Sequence, residues 1–308
     1  MDNTRLWKIG FEYVHSCDFE VRVSWRRTDD YTKDTPKVKL VTEDIPLPLH
    51  PIAVLIKIHA VALNYRDANI ANGAGEVVSV GNIVSLVSVG DRVAPITDSE
   101  FVNARSTGRS WLAANEDGLL ATYIVFDKNL VTKFPDYLDW IQASIIPCAG
   151  TTAWSALKGT TISQTVLIQG TRGVSTFALK LARASSPRVI LTSSSDEKLE
   201  QIKKQFGKPE IQTETLRLTN GIGVDLVIEN GGSSSLVRSM ECTRRGGIVS
   251  QVGYLGGPKT EHLKEFVSKD DQDELIAAIS ATQMTFEDIL DSTWSFDKAE
   301  EAIEYLDR

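Results

Sequence analysis

Polar and apolar positions along the chain change their period near residue 134. Phe19, Val21, Val23 and Trp25 alternate with Glu20, Arg22, Ser24 and Arg26, the two-residue period of a half-buried strand. Val38–Val41 and Val54–Ile58 read as further strands on either side of the loop Ile45-Pro46-Leu47-Pro48. Val77–Gly81, Val89–Val93 and Gly118–Phe126 add strand-and-turn units. From about 140 to 254, short apolar runs alternate with helical stripes. Val166–Ile168 is such a run, and Gly170 opens a turn after it. Val174, Phe177, Ala178, Leu181 and Ala182 then recur at i, i+3, i+4, i+7 and i+8, one face of a helix. Val189–Thr192 follows as a second strand at the spacing of one βαβ unit. The change from strands to alternating strands and helices places a domain boundary near Phe134-Pro135.

Composition narrows the partners. A chain of 308 residues, 42% hydrophobic and 24% charged, can bury two globular cores. Its net charge of −8 argues against nucleic acid or an anionic membrane as the main partner. Met1–Arg5 opens no apolar leader, and no run reaches the length of a membrane span. Cys17, Cys148 and Cys242 are too scattered for a disulfide framework, so a reduced, cytoplasmic location is expected.

The stretch from Gln164 to Ser175 carries the most chemistry. A strand that passes through a glycine turn into a helix presents backbone N–H groups to a pyrophosphate. In the register G-x-G-x-x-G, Gly170 fills the first place, Arg172 the second and Ser175 the third. The second glycine normally lets the backbone approach the phosphates, so Arg172 is a departure. A glycine turn in an ordinary α/β protein is the competing reading.

Several segments in the same order carry a resemblance: Val54–Asp67, ending Leu63-Asn64-Tyr65-Arg66-Asp67; Ala74-Gly75-Glu76-Val77-Val78; Val89-Gly90-Asp91-Arg92-Val93; and Pro147–Trp154. Together they resemble the medium-chain dehydrogenase/reductase family, in its zinc-independent, quinone-oxidoreductase-like branch common in fungi. The resemblance covers roughly residues 25 to 308. It implies a GroES-like β domain over 25–133 completed by about 284–308, a Rossmann domain with a doubly wound parallel sheet over 134–283, and an active cleft between them. Residues 1–24 read as an extension or as a wrongly predicted start.

The resemblance also bears on metal and cofactor. Zinc-using members take a cysteine where Asn64 stands, a histidine from a Gly-His-Glu segment, and a cysteine matching Cys148. This chain passes from Asn72-Gly73 directly to Ala74-Gly75-Glu76, and catalytic zinc needs three protein ligands, so no metal is expected. Cys148 reads as a small packed residue, and His15, His50, His59 and His262 as structural or surface groups. The second strand runs into Thr192-Ser193-Ser194-Ser195, with Lys198 one turn further on. Hydroxyls and an ammonium suit a ribose 2′-phosphate, so NADP(H) is the expected cofactor. Ser194 and Glu197 also fit a helix capping box, and Asp196 keeps NAD as an alternative. Gly170, Thr171, Arg172, Gly173 and Val174 form the expected phosphate turn. Thr152, Asn230 and Gly253-Tyr254-Leu255 are expected near the cofactor by resemblance.

A reductase must stabilise charge growing on the substrate oxygen, and without zinc that needs a hydrogen-bond donor. Tyr65 and Asn64, at the family's active-cleft position, are the catalytic candidates. The substrate class implied is an enone, quinone or carbonyl compound. Some family parts look short. Phe206 to Asp225 leaves little room for a third Rossmann strand and its crossover, and nothing after Leu255 reads as a sixth. A sheet reduced at its edges offers a surface for homodimer pairing. These gaps also support a second reading, a degenerate, non-catalytic homologue or truncated gene model that retains at most nucleotide binding.

Overall fold

The computed structural model describes residues 6–10, 20–27, 38–63, 71–103, 110, 112, 118–185, 187–193, 197, 200, 210–211, 215–232, 235–252 and 268–306. The first strands are β1 (Leu6–Gly10), β2 (Val21–Arg27), β3 (Val38–Asp44) and β4 (Ala53–Leu63). They are followed by β5 (Ala71–Val80), β6 (Arg92–Pro95), β7 (Tyr123–Asp127) and β8 (Val131–Lys133). Helices α1 (Trp140–Ser144) and α2 (Thr151–Leu157) lead into β9 (Thr165–Gln169), α3 (Gly173–Ser185) and β10 (Arg188–Thr192). Next come β11 (Glu210–Ile211), α4 (Thr215–Leu218), β12 (Val224–Glu229), α5 (Leu236–Cys242) and β13 (Thr243–Gln251). Last are α6 (Lys269–Thr282), β14 (Leu290–Ser295) and α7 (Ala299–Leu306). The chain divides into two compact units, Met1–Cys148 with Val267–Arg308, and Ala149–Phe266.

In the first unit β4 is the organising strand. Its sequence Ala-Val-Leu-Ile-Lys-Ile-His-Ala-Val-Ala-Leu is buried along both faces except at the half-buried Lys57 and His59, and it pairs with β1, β5 and β7. The sheet order is β14-β1-β4-β5-β6-β8, with β7 also on β4. Gly75 lets β5 come close: a Cβ there would lie 2.7 Å from Ile56 Cγ2 and closer still to the Lys57 carbonyl. Val54, Ile56, Ile58, Val77, Leu119 and Phe126 bury one core with Ala299, Ala302 and Ile303 of α7. β2 and β3 form an antiparallel hairpin, and the Trp25 indole N–H donates to the Phe296 carbonyl at 2.9 Å.

The division between units falls after Cys148 rather than near Phe134-Pro135. Helix α1 belongs with the strands, because Trp140 stacks on His59 of β4 at 4.2 Å and lies 4.2 Å beneath the Arg92 guanidinium. Helix α6 does too. Gln272 donates to the Ala94 carbonyl at 3.1 Å, and Asp273 accepts from Thr132 at 2.7 Å.

The second unit is a doubly wound sheet of parallel strands in the order β11-β10-β9-β12-β13, as the sequence implied. The third strand, for which the sequence left little room, is present as the two residues of β11, with Ile190 opposite Glu210. Two residues suffice because β10 supplies the ladder. β13 begins at Thr243, five residues before Ile248, and Arg244 is held there by an ion pair to Asp225 at 2.6 Å. Among the described residues no helix is long and apolar enough to cross a membrane.

Candidate functional site

The order of the parallel sheet reverses between β9 and β12, so the chain leaves the carboxyl ends of these neighbouring strands in different directions. Ligands of open α/β sheets bind at such a switch point. The turn after β9 is built for it. Gly170 has φ +80°, and its N–H donates to the Thr192 carbonyl of β10 at 2.8 Å. A Cβ at Gly170 would meet only Ser175 Oγ at 3.6 Å, so the left-handed torsion, not a lack of space, calls for glycine. The chain enters α3 at Gly173. Thr171 is buried, and the Thr176 N–H and Oγ1 both donate to the Arg172 carbonyl, at 2.9 and 3.0 Å. The first turn of the helix is thereby fixed to the glycine turn. Arg172 and Val174 are half-buried beside it.

Ser175 stands where a third glycine would permit close packing of helix on strand. It is 2% exposed, and its hydroxyl makes the contact instead, donating to the Gln169 carbonyl at 2.8 Å. Asn230, just past β12, reaches across the switch point. Its Nδ2 donates to the same carbonyl at 2.8 Å and to Ser175 Oγ at 2.9 Å. The residue expected near the cofactor thus spends its amide hydrogens on the two turns.

Beneath Asn230 lies Glu229, fully buried. Its Oε1 accepts from the N–H groups of Gly231 (2.7 Å) and Gly232 (3.0 Å) and from Ser235 Oγ (2.6 Å). Its Oε2 accepts from Ser239 Oγ, which accepts in turn from Gln169 Nε2 at 2.5 Å. The Gly231 and Gly232 amides therefore face a protein carboxylate. Gln169, Glu229 and Ser239 escaped sequence reasoning. One signal was available: Glu229 is an acid closing the wholly apolar run Leu226-Val227-Ile228.

The other expected residues divide in two. Ser193 follows β10 and is half-buried, next to the Thr192 carbonyl that holds Gly170. Thr152 is half-buried in the first turn of α2. Asn64, Tyr65, Ser194, Lys198, Gly253, Tyr254 and Leu255 lie outside the described residues. At His59, burial, then Lys57, push the pKa below the usual value, against the pull of Glu76 at 3.6 Å. Cys148 is half-buried and in no disulfide. Among the described residues no group of three His, Cys, Asp or Glu side chains is placed to hold a metal ion.

The turn fits a dinucleotide pyrophosphate. The positive φ at Gly170 aims the chain into α3, whose first amides have no acceptors within the helix.

Known proteins share this architecture. The sequence profile of the alcohol dehydrogenase GroES-like domain matches residues 50–136, and that of the zinc-binding dehydrogenase family matches residues 173–294. A zinc-type alcohol dehydrogenase-like protein of Schizosaccharomyces pombe is 31% identical over 85% of this chain and 89% of its own length. A protein described as an alcohol dehydrogenase from Sinorhizobium meliloti 1021 superposes with TM-score 0.80 and 25% identity, covering 94% of this chain and 96% of that one. A zinc-binding dehydrogenase-like protein from the same organism, solved bound to NADP, shares the fold at TM-score 0.75 and 17% identity, covering 92% and 95%.

Proposed function

The chain belongs to the medium-chain dehydrogenase/reductase family of oxidoreductases, and on that premise we propose that it is an NADPH-dependent reductase of an enone, quinone or carbonyl compound that works without zinc. The observation that carries this reading is the turn from β9 through Gly170 into α3 at the switch point of the parallel sheet. The NADP-bound relative supports the cofactor by fold, and Ser193, Ser194 and Lys198 support it by chemistry, since they can donate to a 2′-phosphate.

NADPH supplies the hydride when bound. The chain's residues do the rest. The turn 170–174 holds the pyrophosphate, and Ser193, Ser194 and Lys198 hold the 2′-phosphate. The Tyr65 phenol or the Asn64 amide donates a hydrogen bond to the substrate oxygen as negative charge grows on it. Zinc is dispensable because Asn64 stands where a ligand cysteine would and the Gly-His-Glu segment is absent.

The test is NADPH oxidation across a panel of enones, quinones and carbonyls, with fluorescence titration of both cofactors. Lys198→Ala is predicted to weaken NADPH about tenfold or more and NADH far less, because a charge-assisted hydrogen bond is lost. Equal loss for both would refute the NADPH preference. Tight NADPH binding with no oxidation across the panel would favour the non-catalytic reading.

A further inference from the structure

Gln169, Ser175, Glu229, Asn230 and Ser239 form one continuous hydrogen-bonded path under the turns that leave β9 and β12. Glu229 is its root. The carboxylate has no solvent exposure, and among the described residues its partners are two amides and two hydroxyls rather than a cation. A buried charge is costly unless donors surround it, so packing alone would favour a neutral side chain here. What a carboxylate adds is direction, since it only accepts. Ser239 must turn its hydrogen to Glu229 and its lone pairs to Gln169 Nε2, which fixes the Gln169 side chain. The Gln169 carbonyl then accepts from both Ser175 and Asn230. On the other oxygen, the Gly231 and Gly232 amides define the turn after β12.

Resting on the dinucleotide reading above, we propose that Glu229 is a positioning residue for the cofactor: through Ser239–Gln169 on one side and Gly231–Gly232 on the other, it presets both turns at the switch point before the dinucleotide arrives. It does not touch the cofactor. Ordering these turns in advance removes an entropic cost that binding would otherwise carry. The same path explains how Ser175 replaces a glycine: its hydroxyl is held between Gln169 and Asn230, both anchored by the Glu229 arms.

Amide hydrogen exchange on the unliganded full chain, together with NADPH titration, tests this. In Glu229→Ala, residues 170–176 and 230–232 are expected to exchange at least about tenfold faster, with an NADPH Kd at least about tenfold higher. Glu229→Gln keeps an oxygen for the two glycine amides but turns a donor towards Ser239, so exchange is expected to stay near wild type over 230–232 and to rise over 170–176. Ser239→Ala cuts only the arm to β9, so exchange should rise over 170–176 and not over 230–232. This variant carries the test if Glu229→Ala does not fold. Unchanged exchange over 170–176 in Ser239→Ala overturns the proposal, as does faster exchange with an unchanged Kd. A wild type that binds no nicotinamide dinucleotide fails the functional reading itself, a result visible before any variant is made.

Discussion

Arg172 sits at the point where a dinucleotide-binding turn usually offers bare backbone. Its carbonyl is held by Thr176, so the backbone there is fixed and the side chain alone varies the site. A guanidinium brings a cation with forked donors suited to phosphate, yet it also brings bulk where close approach matters. Gly173, the next residue, lies within α3 and does not restore the space. Bulk is expected to dominate. Arg172→Gly should tighten NADPH binding in titrations at two salt concentrations. Weaker binding with reduced salt sensitivity would instead show that the arginine holds the pyrophosphate.

At the scale of elements, the β2–β3 hairpin is joined across its face by charge. Glu43 accepts from Arg26 Nε at 3.0 Å and Nη2 at 2.5 Å, and from Arg22 Nε at 2.9 Å. The Arg26 hydrogen bonds, outweighing the cost of burial, lower its pKa from 4.5 to about 2. A carboxylate with a depressed folded pKa stabilises above its unfolded pKa and loses that contribution as pH falls towards the folded value. Thermal melts of wild type and Glu43→Gln should therefore differ most at neutral pH and converge between pH 4.5 and about 2. The side chain is 30% exposed. Solvent screening then leaves about 1 kcal/mol at neutral pH. A constant difference over that range would refute the pairing.

Elements were legible where pattern alone sufficed. β4 and β9 announce themselves as apolar runs, and the stripe from Val174 to Ala182 specifies α3. β11 was not legible, because two residues carry no period. Nor was the start of β13, where Thr243-Arg244-Arg245-Gly246-Gly247 carries no apolar alternation and Arg244 is held by Asp225. The glycine turn could be read from local spacing. The Glu229 path could not, since its members come from β9, α3, β12 and α5 and meet only when the sheet has assembled.

For the whole molecule, the sharpest expectation concerns metal. NADPH oxidation should survive exhaustive chelation, and elemental analysis should find no stoichiometric zinc. One zinc per chain required for turnover would overturn zinc independence. The two units also differ in how they are strung. Residues 149–266 are contiguous, whereas the other unit takes its strands from both sides of them. Its sheet places β1 between β4 and β14, with Leu6 to Gly10 running parallel to Leu290–Ser295. On the ribosome, the contiguous unit can therefore fold as soon as it emerges. Strand β1 must wait for β14, which leaves one of its edges unpaired until Leu290–Ser295 has been made. A nascent chain stalled before Leu290 would expose that edge to chaperones, while the contiguous unit was already formed.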